Sequence, residues 1–369
     1  MKDKNTCKKL YMILFLTVLC MPFPIWFLFG YFFDTENYEN RNLETKPIFS
    51  IDTYGEFTAA CTAYFEDNLP FKNALVSLNS RIDYFLFHAS SSDRVIIGED
   101  GWLFYADTRD GNSIADYQGQ NVYSEEYLKI IADNLLEIER NLAEHEVELV
   151  IFIAPNKERV YSDRMPNHYG TPADLYAALQ VADYLQKHTD IRVIYPYDQL
   201  MRAKADLQDV DLYYKTDTHW NSVGGYIGSQ ALLNELGVIM PDIMDECIMI
   251  EEVLRTGGDL AKILNMKNDL QDISYRISGY EDHDVTREKW DFPTEFIYHS
   301  QNADERKLFV VRDSFCNSMA DHMASQFNDS YMIHRSEYTY EDFIEQSPDI
   351  FVFEVVERYV KELGSFSLK

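Results

Sequence analysis

Apolar and polar positions follow several distinct rhythms along this 369-residue chain. From Leu10 to Phe33 (LYMILFLTVLCMPFPIWFLFGYFF) no residue is charged, and the run exceeds the roughly 20 residues that cross about 30 Å of hydrocarbon. Lys2, Lys4, Lys8 and Lys9 precede it and Asp34, Glu36 and Glu39 follow, a bias that places the amino terminus in the cytoplasm and the rest outside. Trp26 and the Tyr/Phe cluster near the outer end suit an aromatic belt. No small-x-small cleavage site follows, so the run reads as an uncleaved anchor rather than a signal peptide. Cys20 lacks the small residue that lipidation requires before it.

Asp34 to Ile51 is polar and reads as a stalk. Between Thr53 and His88, apolar residues recur at three and four (Phe57, Ala60, Tyr64, then Leu75, Leu78, Ile82, Phe85), predicting two amphipathic helices broken at Pro70. Glu99-Asp100-Gly101 between Val95-Ile96-Ile97 and Trp102-Leu103-Phe104-Tyr105 predicts a hairpin. Beyond it, helical periodicity over Ser124 to Glu146 and Ala173 to His188 is interleaved with apolar runs. These are Leu149 to Ala154, Ile191 to Tyr195, Leu308 to Val311, Tyr331 to Ile333 and Ile350 to Val355. Unbroken apolar character suits strands buried on both sheet faces, and their alternation with helices predicts a doubly wound, mainly parallel α/β sheet. Residues 240–300 are acidic and read as an irregular insertion. The organisation expected is a cytoplasmic tail (1–9), an anchor (10–33), a stalk with amphipathic helices (34–90) and an α/β domain (91–369).

Composition narrows the partners. Hydrophobic residues make up 46% and charged residues 26%, so the chain folds. Against 33 Lys+Arg stand 62 Asp+Glu, a formal net charge of −29, and no basic cluster lies beyond the first nine residues; nucleic acid is excluded as a partner. Cys7, Cys20, Cys61, Cys247 and Cys316 form no Cys-x-x-Cys pair, which argues against a disulfide framework or a zinc site.

Two segments carry chemistry. Val310-Val311-Arg312-Asp313-Ser314 puts a serine just past a buried strand, at the start of a helix whose free N–H groups suit an oxyanion; an ordinary helix cap is the bland alternative. Asp217-Thr218-His219-Trp220 supplies a base and a carboxylate two residues apart, which point the same way in extended chain. A packed histidine beside a core tryptophan, or an Asp-x-His metal pair with no recognisable third ligand, are its alternatives. Asn156 and Lys157 follow a buried strand and are candidates to hold substrate or polarise a carbonyl, with Arg312 and Trp220 as further neighbours. Glu357 and Arg358, past the last strand, read as a structural ion pair.

Asp217-Thr218-His219-Trp220 resembles the D-x-H-W signature of the DHHW family and of the alginate O-acetyltransferase-like branch of the SGNH hydrolase superfamily, and Arg312-Asp313-Ser314-Phe315 resembles its serine block. Further matches are Glu39-Asn40-Arg41, Gly98 to Tyr105, Ala154 to Lys157 with Val160-Tyr161, and Glu357-Arg358, so the resemblance spans most of residues 39–360. Asp and His precede the serine, the order permuted relative to ordinary SGNH esterases. The resemblance implies an SGNH-hydrolase-like, flavodoxin-like fold. It also implies a Ser314-His219-Asp217 triad, a polysaccharide acceptor, and a membrane-bound O-acyltransferase that supplies acetyl; no metal or cofactor is expected. Cys316 stands where small residues are often found. An esterase using the same triad, and a non-enzymatic carbohydrate-binding or assembly partner, are the competing readings.

Overall fold

A computed structural model describes residues 2–32, 43–49, 54–68, 71–280, 285–301 and 303–369. They fall into two compact units: Met1–Ser92 with Lys262–Met266, and Asp93–Ala261 with Lys267–Lys369. In the first, helices Lys2–Cys20 and Pro22–Phe29 and a 3-10 turn at Gly30–Phe32 follow one another. Thr6–Phe32 within them is long and apolar enough to cross a membrane and is not buried by protein. The expected run ended at Phe33, which lies outside the described residues, as do the Glu39-Asn40-Arg41 block and most of the expected stalk. Helices Tyr54–Asp67 and Lys72–Ile82 form where the three-and-four spacing predicts, and a π-helical turn extends the second through Asp83–Phe87.

The second unit contains the strands β1 (Val95–Ile97), β2 (Leu103–Tyr105), β3 (Glu148–Ala154), β4 (Arg192–Ile194), β5 (Met249–Thr256), β6 (Gln271–Ser278), β7 (Val285–Asp291), β8 (Glu295–Ser300), β9 (Asp304–Arg312), β10 (Phe327–His334) and β11 (Ile350–Val356). The expected hairpin is present, β1 pairing antiparallel with β2 around Glu99–Gly101, where Asp100 and Gly101 take positive φ. The main sheet has the order β4-β3-β11-β9-β10-β8-β7. Its first five strands are parallel; β8 and β7 are added antiparallel.

Each central strand feeds two cores. Val150, Phe152 and Ala154 of β3 face one layer with Trp220 and Phe315, while Ile151 and Ile153 face helices Glu125–Ala143 and Ala177–His188. That two-sided burial is why the strands read as unbroken apolar runs. Register aligns Ala154 with Val356 and Val311 with Phe353, so β3, β9 and β11 end at one edge of the sheet, where sites of doubly wound folds lie.

Residues 240–300 correct the expectation of an irregular insertion. They form β5–β6, an antiparallel hairpin, and β7–β8, which extend the main sheet. β5 is largely solvent-exposed and β7 is so along its whole length, so these two carry no apolar periodicity to read, whereas β6 and β8 bury Tyr275, Ile277, Phe296 and Tyr298.

Candidate active site

Asp313 sets the serine turn. Its Oδ1 accepts the Phe315 N–H (2.8 Å) and its Oδ2 the Val356 N–H (2.8 Å), while its own N–H donates to Glu354 Oε2 (2.8 Å), tying the end of β9 to the end of β11. The helix expected there begins as a 3-10 turn, Ser314–Ser318, and the helix Ala320–Ala324 follows. The Phe315 N–H is thereby spent on the cap, whereas the Ser314 N–H has no acceptor among the described residues.

His219 comes from a loop pinned at both ends. Tyr213 and Trp220 form an antiparallel bridge, and Asn221 caps helix Ser222–Glu235 by accepting the N–H groups of Val223 and Gly224. Gly225 lets this helix press onto the serine turn: a Cβ there would lie 2.2 Å from the Ser318 carbonyl oxygen. The indole N–H of Trp220, fully buried, donates to the Phe315 carbonyl (2.8 Å), linking the two chemistry-bearing segments directly.

Ser314 and His219, 95 residues apart, meet with Oγ 2.7 Å from Nε2, and His219 Nδ1 lies 2.7 Å from Asp217 Oδ1. An ionised carboxylate only accepts, which assigns the ring proton to Nδ1 and leaves Nε2 to receive the serine proton. Burial pulls the imidazole pKa down. The Asp217 hydrogen bond and the charges of Asp217 and Asp259 outweigh it, so the His219 pKa is raised. Burial pushes the Asp217 pKa up, but its bond to His219 and the charges of His219 and Arg255 hold it low and the carboxylate ionised.

Asp259 is a second carboxylate that sequence reasoning missed. It accepts the Thr218 N–H (2.7 Å) and the Thr218 hydroxyl, lies 3.7 Å from His219 Nδ1, and donates its own N–H to Asp217 Oδ2 (3.3 Å). Burial and the Asp217 charge raise its pKa to about 6. Gly257-Gly258 just before it is the available signal: a Cβ on Gly258 would fall 2.3 Å from Asp217 Oδ2. Asp217, His219 and Asp259 also offer three atoms within 4.8 Å of one another that could hold a metal ion, so the third ligand that the sequence lacked is present. Both His219 nitrogens are, however, engaged at 2.7 Å by protein partners.

The other candidates sort differently. The Lys157 ammonium is buried and donates to the carbonyls of Leu103 (2.6 Å), Lys215 (2.9 Å) and Asp217 (2.9 Å), so its three protons tie the Asp217 loop to β2 and none is left for a substrate. Arg312 is buried over the Phe296 ring and donates to Asn317 Oδ1 and the Pro293 carbonyl. Glu357 pairs with Arg159 at 3.0 Å, not with Arg358. Arg358 instead lies over the rings of Tyr359, Phe315 and Tyr105. Asn156 is 2% exposed, and neither end of its side-chain amide has a partner among the described residues.

An apposed serine, histidine and aspartate at the carboxyl edge of a mostly parallel sheet fits an SGNH-hydrolase-like domain. The family model for the SGNH hydrolase-like domain of the acetyltransferase AlgX matches residues 95–290, and the chain belongs to this family. That match contains Asp217, His219 and Asp259; Ser314 lies beyond it. Among relatives, the probable alginate O-acetylase AlgJ of Pseudomonas syringae pv. tomato is 31% identical over 185 residues, covering 48% of this chain and 42% of the relative. That of Pseudomonas aeruginosa is 28% identical over 184 residues, covering 49% and 43%. The chain therefore spans less than half the length of these relatives. Among solved structures, Bacillus cereus PatB1 aligns with a TM-score of 0.53 at 16% identity over 75% of this chain and 99% of that one. A DHHW family protein from Eubacterium siraeum gives 0.53 at 13% identity over 73% and 97%, and both share the fold.

Proposed function

We propose that this chain is an extracytoplasmic, membrane-anchored O-acetyltransferase acting on an exported or cell-surface polysaccharide. The observation that carries the reading is the unbroken relay Ser314 Oγ, His219 Nε2, His219 Nδ1, Asp217 Oδ1, both links at 2.7 Å. Ser314 Oγ attacks the donor's acetyl carbonyl as its proton passes to His219 Nε2. The tetrahedral intermediate collapses when the leaving group takes that proton, leaving acetyl-Ser314. A sugar hydroxyl then attacks the acetyl carbon, gives its proton to Nε2, and the proton returns to Ser314 Oγ as the sugar ester departs. Asp217 stays ionised throughout and stabilises the imidazolium.

The Ser314 N–H and the Asn156 amide are our candidates for the oxyanion. A buried amide with no partner costs about 1–3 kcal/mol per unpaired group, and that cost is recovered if a developing oxyanion accepts from it. AlgJ relatives named as O-acetylases support acetyl transfer. An apolar amino-terminal helix is consistent with anchorage, and the flanking lysines favour a cytoplasmic amino terminus. In this reading residues 34–90 link the anchor to a catalytic part, 91–369, and a membrane-bound O-acyltransferase supplies acetyl. The His219 side chain is 25% exposed, so water can compete for the acyl-serine and an esterase is the second reading. Mass analysis of oligosaccharide acceptors incubated with an acetyl donor separates them: acetylated sugar supports transfer, and free acetate alone supports hydrolysis.

A further inference from the structure

The helix Lys72–Ile82 and its extension Asp83–Phe87 are buried the wrong way round for a helix in water. Leu75, Leu78, Ile82 and Phe85 recur at three- and four-residue steps along one stripe, and each is exposed, as are Leu86 and Phe87 beyond them. The polar side is the one turned inward: Ser80 is 1% exposed and shares a 2.7 Å hydrogen bond with Ser91. A contiguous apolar stripe left outside while a serine is hidden marks a surface made to be covered.

Its position says by what. Phe71, which begins this helix in left-handed backbone (φ 64°), meets the ring of Trp26 edge-on at 5.8 Å. Trp26 stands in the last turns of Thr6–Phe32, the helix long enough to cross a bilayer. Tryptophan near the end of a span sits at headgroup depth, so the exposed stripe starts at that depth. Ile48, Phe49 and Phe65 of the same compact unit are also exposed.

We propose that Lys72–Phe87 lies in the membrane interface, with Leu75, Leu78, Ile82, Phe85 and Leu86 in the acyl boundary of the leaflet from which the span emerges. The lipid bilayer is thus the partner of this face. The inference does not depend on the triad, and it would fix the start of the exported part at the membrane surface instead of on a free stalk.

The test uses the full chain alone in phosphatidylcholine vesicles, with a diazirine amino acid placed singly at 78, 85, 79 or 175. Asn79 is the polar control on the same helix, and Leu175 is an exposed leucine of the other unit. After illumination, lipid adducts at 78 and 85 should exceed those at 79 and 175 by on the order of tenfold, as side chains sunk in the acyl boundary require. Equal yields at all four positions, or crosslinks at 78 and 85 to a second copy of the chain instead of to lipid, would overturn the proposal. All four probes sit on exposed side chains, so the fold is kept. Should a protein partner cover the stripe, these partner-free vesicles give no excess at 78 and 85, the same contradicting result.

Discussion

Replacing Gly258 by Ala perturbs the Ser314-His219-Asp217 arrangement without replacing any of its members. The added methyl would lie 2.3 Å from both Cβ and Oδ2 of Asp217 and 2.6 Å from its Cγ, where ordinary contacts are about 3.5–4.0 Å. Asp217 has little freedom to yield: its carbonyl is held by Lys157 at 2.9 Å and its carboxylate by His219 at 2.7 Å. Relieving the overlap therefore moves the carboxylate by about 1 Å, and a displacement of that size costs about 100-fold in rate, or ~2.7 kcal/mol of barrier. The assay is release of acetate from an activated ester, with circular dichroism and Tm recorded for each variant. Gly55→Ala, where the methyl meets nothing within 4 Å, is the control and should leave activity unchanged. In an Asp217→Asn background the Gly258→Ala change should cost far less than alone, because both act through one carboxylate. A folded Gly258→Ala enzyme within about twofold of wild type, where ~100-fold is expected from the displacement, would refute the claim that Asp217 must sit where it does.

Other outcomes follow from the same geometry. The acid limb of kcat/KM reports protonation of the base, and since His219 is raised it should lie above the ordinary histidine value; Asp259→Asn removes a negative charge 3.7 Å from Nδ1 and should move that limb to lower pH, and a limb that stays put would remove Asp259 from the electrostatics. Burial pushes the Cys316 thiol well above its ordinary range, so iodoacetamide at neutral pH should leave activity intact and Cys316→Ala should remain active; inactivation that Cys316→Ala abolishes would point to a thiol mechanism. Lys157→Met strips three carbonyls of their donor and should cost about 1–3 kcal/mol in urea unfolding together with a loss of kcat, whereas an unchanged midpoint would contradict the clamp.

What could be read in the chain tracks what is buried. β3 and β11 are enclosed on both faces and announce themselves as apolar runs, and Ser124 caps helix Glu125–Ala143 by accepting the Tyr127 N–H, close to where the periodicity begins. Ser314, His219 and Asp217 were legible because a strand end and an Asp-x-His pair each restrict chemistry locally, although only the fold brings them together. β5 and β7 are exposed and gave no apolar period, and Asp259, delivered by the segment between β5 and β6, carried no local mark beyond two glycines. Lys157 looked like a substrate ligand because residue type does not reveal that three carbonyls converge on it. The Glu357–Arg159 pair, 198 residues apart, was hidden by the adjacent Arg358, a nearer partner in sequence that packs on aromatic rings instead.

The central claim, that Ser314 carries the acetyl group, is tested most directly by trapping. The full chain is mixed with an activated acetyl ester, quenched in acid, digested and mapped by mass spectrometry. One acetyl should appear on the peptide containing Ser314, be absent in Ser314→Ala, and be discharged when an oligosaccharide acceptor or water is given time to react. Acetyl transfer that persists in folded Ser314→Ala, or an adduct on Cys316 in place of Ser314, would contradict it.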